Sequence, residues 1–502
     1  MLSSSFLILA APSTWLTPVW LLAAGVALGV VILAILYGIV WLVSKRAIAN
    51  INSSVHEGFL FPVLVFGLAL SVFAIAGAWI VPFKGLMTSV TRLASATEFT
   101  EKVDLKADAK DFEVDLKLAP KEVQRLRIQT DQNLYFSVEL PGIGLLRRVS
   151  SLQQKLEPDQ PYEWNRDISA QYLFATDSTK LFLTNNSGRP ATVKLFVQTQ
   201  AEYPEAIAIP GTAAAYAGLV VVFLLMRLSF PRVIAVATTT AKEALAQPLY
   251  QILMAVGIFA LLITTIIPYN TFGEDVKVLK DFNLAFIMLM SIFIAVWTAS
   301  VGISDEIDGR TALTVLSKPI GRAQFLIGKF IGVLLPVILM FMYLGFIFLL
   351  TVSFKVVYDA RESAQQEPTW QVCYAEMINI VPGLLLAFME AVVMASISVA
   401  IATRLPMLSN LTICFVIYIV GHLLPLLALS KQVSDPYGII QFSGQFFATV
   451  LPVLEHFNIN AAIAGGAIVP VSYLGWAAAY CVLYSAVAML FALVLFEDRD
   501  LA

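Results

Sequence analysis

Long apolar runs broken by short polar stretches dominate this chain. A helix rises about 1.5 Å per residue and a hydrocarbon core is about 30 Å thick, so roughly 20 apolar residues suffice to cross it. Trp15 to Val43 is the first such run. It is longer than needed, which predicts a helix that tilts or begins in the interface. Phe59 to Phe83 is the second, and Ala213 to Met226, bounded by Pro210 and Arg227, is the heart of a third. Six more are predicted at 249–268, 282–304, 324–353, 376–403, 408–429 and 470–496. The pattern predicts a polytopic α-helical membrane protein with about nine transmembrane helices.

Between the second and third runs the period changes. Over 84–209 charges become frequent and apolar residues alternate with polar ones. Phe112, Val114, Leu116 and Leu118 alternate with Glu113, Asp115 and Lys117. Leu134, Phe136, Val138 and Leu140 alternate with Tyr135, Ser137 and Glu139, and Val193, Leu195 and Val197 follow the same rule. Strict alternation marks strands with one buried face. Asn185-Asn186-Ser187-Gly188 is a turn joining two strands. The segment is expected to be an inserted all-β, sandwich-like domain. It shows no nucleophile, base and orienter set, so it reads as a spacer or docking module, with Trp164 in its core. The chain therefore divides into a helix pair at 1–83, a β domain at 84–209, a third span with a connector at 210–248, and a six-helix core at 249–502. The connector, Phe230 to Gln247, is amphipathic and carries Arg232, Lys242 and Glu243. Thr240-x-x-Glu243 has capping-box spacing, and a segment of this kind lies along the interface.

One charged island stands inside the core. Ser304 to Lys329 holds Asp305, Glu306, Asp308, Arg310, Lys318, Arg322 and Lys329, while Leu284–Ile303 and Phe330–Phe354 on either side hold no charge. Each charge at a bilayer centre would cost about 2.5–3.5 kcal/mol, so the island sits in water. Asp305 to Leu316 reads as a short helix with its acids in the first turn, where the helix dipole favours them. Ser317-Lys318-Pro319 breaks it, because Pro319 lacks an N–H and pushes Lys318 out of helical angles. Gly321 starts a new helix through Phe325 into the membrane. Two readings stand: a solvated loop, or a bent surface that docks a partner. The loops are otherwise short, except 354–375 and 430–469. Within the latter, Gln445 to Leu451 is too short to span and suits a re-entrant or interfacial helix.

Composition sharpens the membrane reading. The chain has 502 residues, 59% hydrophobic and 13% charged, against about 25% charged in soluble proteins. Its net charge of −3 excludes nothing, and no nucleic-acid partner is expected. Cys373, Cys414 and Cys481 form no framework, and His56, His422 and His456 suggest no metal site. Residues 1–14 carry no positive charge, so they lack the basic start of a secretory signal. Gly328-Lys329 has the G-K of a phosphate-binding loop, but that loop needs glycine at 323 and Ser or Thr at 330, where Ala323 and Phe330 stand. No ATP site is visible in this chain. Glu390, inside a span, is an intramembrane polar candidate; its plainer reading is a protonated side chain bonded between helices. Basic residues set the orientation. With the island cytoplasmic, that side collects Lys45, Arg46, Arg227, Arg232, Lys242, Arg404 and Arg499 besides Arg310, Lys318 and Arg322, ten in all, twice the five of the other side, Lys277, Lys280, Lys355, Arg361 and Lys431. This puts the N-terminus and the β domain outside and the C-terminus in the cytoplasm of a multi-pass cell-membrane protein.

The island also resembles the coupling region of ABC-2 type transporter permeases, closest to the type associated with multi-copper enzyme maturation. The matching features are Glu306, then Gly309-Arg310-Thr311, Leu316-Ser317-Lys318-Pro319, Gly321-Arg322, Phe325 and Gly328-Lys329. Upstream, A-T-T-T-A-K-E-A-L-A-Q-P-L-Y resembles the connector helix. At the other end, A-L-V-L-F-E-D-R-D-L resembles the terminal tail. The resemblance covers about 230–502 and leaves 1–229 aside, and Gly321 stands where relatives carry Ser. It implies a membrane-spanning permease subunit, not itself an enzyme, that couples ATP hydrolysis on a separate ABC ATPase to transport, usually export. ATP and Mg belong to that partner, and no cofactor is expected in this chain. A second permease chain, identical or homologous, completes the transporter, and the β domain offers a place for an external partner. Asp305, Glu306 and Asp308 are expected to dock, Gly309 to allow close approach or a kink, and Lys318 and Arg322 to pair with partner charges. Ser317-Lys318-Pro319 is the expected hinge, and Lys329 the interfacial anchor. The alternatives are an ion-coupled secondary transporter and a membrane-anchored scaffold whose β domain binds an external partner.

Overall fold

A backbone in hydrocarbon has to satisfy its own N–H and C=O groups, and a helix does so locally. The computed structural model describes residues 12–43, 45, 48, 51–52, 55, 59–93, 98–138, 154–158, 160–166, 173–174, 179–267, 269, 271, 273–305, 320–429, 442, 446–447 and 449–497. Among them, nine helical stretches are long and apolar enough to cross a membrane: Pro12–Val43, Leu60–Gly77, Pro204–Ser229, Pro248–Ile266, Asp275–Ile303, Arg322–Glu362, Trp370–Ala402, Met407–Pro425 and Val471–Glu497. This fits a polytopic membrane protein. The chain forms two compact units, one of 1–81 with 211–502 and one of 82–210.

In the first unit the helices are α1 (Pro12–Val43) and α2 (Leu60–Gly77). In the second, α3 (Phe83–Arg92) precedes the strands. Then follow α4 (Ala208–Ser229), α5 (Pro231–Ala246), α6 (Pro248–Ile266), α7 (Asp275–Ser300), α8 (Arg322–Glu362), α9 (Trp370–Ile378), α10 (Val381–Ala402), α11 (Met407–Leu429), α12 (Asn460–Ala464) and α13 (Val471–Glu497). Helices α1 and α2 meet where Trp20 donates from Nε1 to the Ala74 carbonyl at 2.7 Å. Gly77 leaves room for that indole, since a Cβ there would lie 2.8 Å from Trp20 Cδ1. Tyr216 of α4 reaches across to the Val63 carbonyl at 3.0 Å, over Gly67.

Three expectations change. The stretch 354–375 is not a plain loop: α8 runs on to Glu362, and α9 begins at Trp370. At about 1.5 Å per residue its 41 residues exceed a bilayer core, so the last turns stand beyond it. Lys280 and Lys355 are consequently buried between helices rather than solvated. Thr240 and Glu243 do not cap a helix, because α5 is continuous through them from Pro231. Within Gln445–Leu451, residues 446, 447, 449 and 450 are helical and exposed, which fits a short helix that does not span.

The second unit contains two four-stranded antiparallel sheets, β1-β8-β3-β6 and β2-β7-β4-β5. The strands are β1 (Glu98–Leu105), β2 (Phe112–Asp115), β3 (Val123–Thr130), β4 (Leu134–Val138), β5 (Gln154–Leu156), β6 (Tyr162–Asn165), β7 (Lys180–Asn185) and β8 (Ala191–Thr199). Val193, Leu195 and Val197 of one sheet share a single core with Leu134, Leu181 and Leu183 of the other, and Trp164 is in it. β2 stops at Asp115, whose carboxylate accepts the Lys117 N–H at 3.0 Å and holds Lys117 at φ 50°. Residues 139–153, including Leu140, lie outside the described residues. The turn at Asn185–Gly188 joins β7 to β8, but these belong to different sheets, so it is a crossing and not a hairpin. Buried Asn185 fixes it. Its Nδ2 donates to the Lys106 and Arg189 carbonyls at 3.0 and 2.8 Å, and its Oδ1 accepts the Ser187 N–H at 2.9 Å.

Replacing Asn185 by Ala strands those buried groups and should cost about 1–3 kcal/mol. Limited proteolysis of the full chain should then cut within 82–210 faster than in the wild type.

Candidate functional site

The charged island falls between α7 and α8. Glu306, Asp308, Gly309, Arg310, Thr311, Ser317, Lys318 and Pro319 lie outside the described residues, so the site is built from the two chain ends that hold them. On the upstream side α7 widens into a π-helical turn at Val301–Asp305, which ends on Asp305. Such turns loosen the helix ladder and recur at functional sites. Just before it, Ser300 is tied down. Asn410 of α11 donates from Nδ2 to Ser300 Oγ at 2.8 Å and to Ser398 Oγ of α10 at 2.9 Å. Cys414 donates to Asn410 Oδ1 at 3.3 Å. All four side chains are buried, so one polar knot joins three helices directly beneath the island.

Downstream, α8 begins at Gly321, whose N–H donates to Gln324 Oε1 at 3.3 Å. Arg322 donates from Nη1 to the Glu497 carbonyl at 2.9 Å. That carbonyl is at the end of α13, where a helix leaves its C=O groups unpaired and favours a cation. Phe325 stacks on Phe496 at 5.8 Å in the same place. Lys329 is buried, not presented at the surface, and its ammonium lies 5.6 Å from the Phe325 ring centre.

The connector α5 touches both sides of the island. Gly328 and Gly332, four residues apart, let α8 approach it closely, as small residues do between membrane helices. A Cβ at Gly328 would meet the Val233 carbonyl at 2.8 Å, and one at Gly332 the Ala237 carbonyl at 2.9 Å. On the upstream side a Cβ at Gly302 would lie 3.4 Å from Thr240 Cγ2. Buried Val233, Val236, Ala237, Thr240, Ala241 and Ala244 form this face, with the one-sided spacing of an amphipathic helix. Lys242 and Glu243 are exposed on another face. Lys242 also borders an apolar cavity of 1160 Å³ among α1, α2, α4 and α5, with Arg227 and Tyr37 in its wall.

Two ionic groups lie away from the island. Glu390 of α10 is fully buried, and its Oε1 stands 3.5 Å from His422 Nε2 of α11. The other was missed in the sequence. Lys355 of α8, fully buried, pairs with Asp275 of α7 at 3.2 Å and lies 4.9 Å from the Tyr358 ring centre. Lys280 of α7, also buried, pairs with Glu376 of α9. Asp275 further accepts the Thr271 hydroxyl at 2.5 Å and the Tyr269 N–H at 3.3 Å. Burial pushes the Tyr269 phenol above its ordinary range. Carboxylate oxygens of Asp275, Asp359 and Glu362 lie within 4.8 Å of one another, with Lys355 beside them. The available signal was the placement of Lys280 and Lys355 inside helical continuations of apolar runs, where a cation needs a partner.

Comparison with protein-family models finds no match to this chain, and no curated protein matches it.

Gly332→Ala forces α5 from α8 and should lower stability by about 1–3 kcal/mol, read as a lower unfolding midpoint in detergent. Gly475→Ala, in open surroundings on α13, should leave the midpoint unchanged or slightly raised. Asn410→Ala removes the knot and should cost about 1–2 kcal/mol in the same measurement.

Proposed function

We propose that this chain is the membrane-spanning permease subunit of an ABC-2 type transporter. It couples ATP hydrolysis on a separate ATPase to movement of a substrate, with export the expected direction. The observation that carries this reading is the way the charged island is held. Both its ends run directly into long helices, and one amphipathic helix, α5, touches both. A push on the island would reach α7 and α8 at its two ends, and from them α10, α11 and α13 through the contacts of Asn410, Arg322 and Phe325. The L-S-K-P elbow and its acidic and basic neighbours supply the chemistry for docking a protein groove.

In this reading the island, α5 and the C-terminus face the cytoplasm, and the β domain, read as a sandwich around its single core, lies outside with the N-terminus. Glu306 and Asp308 pair with ATPase cations, Lys318 and Arg322 with its acids, and ATP and Mg stay on the ATPase. A second permease chain completes the pathway. One observation favours a second reading, an ion-coupled secondary transporter: Glu390 is fully buried beside His422, and buried ionisable groups in spans commonly serve ion pathways.

The test is co-purification of the full chain with a P-loop ATPase identified by mass spectrometry. Glu306→Arg should abolish the complex and uncouple ATP hydrolysis from transport, while elution and unfolding midpoint stay as in the wild type. Labelling of Lys318→Cys by an impermeant thiol reagent from outside intact cells would overturn the reading, as would transport sustained by an ion gradient with no ATPase.

A further inference from the structure

We infer that Glu390 and His422 together form a proton-binding site inside the membrane-spanning bundle, reached from the face that carries Glu455. The inference does not rest on coupling to an ATPase.

Glu390 is fully buried, and neither of its carboxylate oxygens has a hydrogen-bond partner; His422 Nε2 has none either. Of these three orphaned atoms, Oε1 and Nε2 stand 3.5 Å apart. A bare carboxylate in an apolar interior is too costly to persist, so it holds a proton or stands beside a cation. The imidazole's other nitrogen is already fixed, since Nδ1 lies 3.1 Å from the Tyr418 carbonyl. That contact aims Nε2 at Glu390. The pair therefore presents two basic atoms to one proton. With one proton the couple is neutral overall, either as carboxyl and imidazole or as carboxylate and imidazolium. With none or two it carries a net charge in a low-dielectric setting. One bound proton is the favoured occupancy.

The surroundings supply a route. Glu390 is nine residues into α10, and His422 is in the second half of α11. His422 keeps 18% of its side chain exposed. The turn Leu454–Phe457 packs on both helices; a Cβ on Gly421 would lie 2.9 Å from the Pro452 carbonyl. Exposed Glu455 is on that turn. From α13, Cys481 donates to the Met389 carbonyl at 3.4 Å, and Tyr480 and Tyr484 line the same side. His456 faces Tyr480. The described cations of α7 and α8 are engaged elsewhere, Lys280 with Glu376 and Lys355 with Asp275. Among the described residues, His422 is the basic side chain that lies within 4 Å of Glu390.

The test uses the full chain in lipid nanodiscs, followed by infrared spectroscopy through a pH titration. A protonated-carboxyl band should titrate, and Glu390→Gln should remove it. His422→Gln should move its midpoint by about one pH unit, roughly tenfold in proton affinity. Glu455→Gln, an exposed change that leaves packing intact, should also move the midpoint, by less. Dicyclohexylcarbodiimide, which attacks neutral carboxyls in apolar sites, should label Glu390 in the folded wild type. A band unaffected by Glu390→Gln, or a midpoint unmoved by both His422→Gln and Glu455→Gln, overturns the site. So does failure of the reagent to label Glu390.

Discussion

Hydrocarbon does not solvate charge, and that constraint arranges the whole membrane unit. A charged side chain in a span needs a partner, a polar cavity or a way to water. Lys355 and Lys280 find carboxylates between helices. Lys329 lies over an aromatic face, and Arg322 reaches the unpaired carbonyl end of α13. Glu390 finds an imidazole. The dense charges between Asp305 and Arg322 stand between two apolar helices, and each would be costly in hydrocarbon.

The same constraint shapes the backbone around the island. Without a hydrophobic drive between helices in lipid, close packing and interhelical hydrogen bonds hold them together. Gly328 and Gly332 supply the first against α5, and Asn410 with Ser300 and Ser398 supplies the second. The π-helical turn at 301–305 is next to that knot.

The strand-rich unit follows ordinary aqueous rules. Its alternation buries one face of each sheet in a shared core, and its charges pair at the surface, as Arg92 does with Glu122 at 2.7 Å. Such exposed pairs contribute little to stability. The Asn185 network counts for more, because the hydrogen bonds of the buried amide hold the crossing between the sheets.

Much of the fold was legible in the sequence because its signals are local. Apolar run length specifies a spanning helix, alternation specifies a half-buried strand, and a cluster of charges between apolar runs specifies an excursion into water. The spans, the strand-rich insert and the island follow from those rules alone. Pairings across the chain were not legible, because they depend on which helix faces which. Nothing near Glu390 in sequence announces His422, and nothing near Lys355 announces Asp275. The Gly328–Gly332 seam reads as a motif, but its partner, the face from Val233 to Thr240, emerges only once α5 is laid on α8. Asn185-Asn186-Ser187-Gly188 read as a turn joining two strands, and it is one, but local chemistry does not record which sheet the next strand joins. Sequence settled where charge could not stay in lipid; tertiary packing alone decided what neutralises the charges that remain.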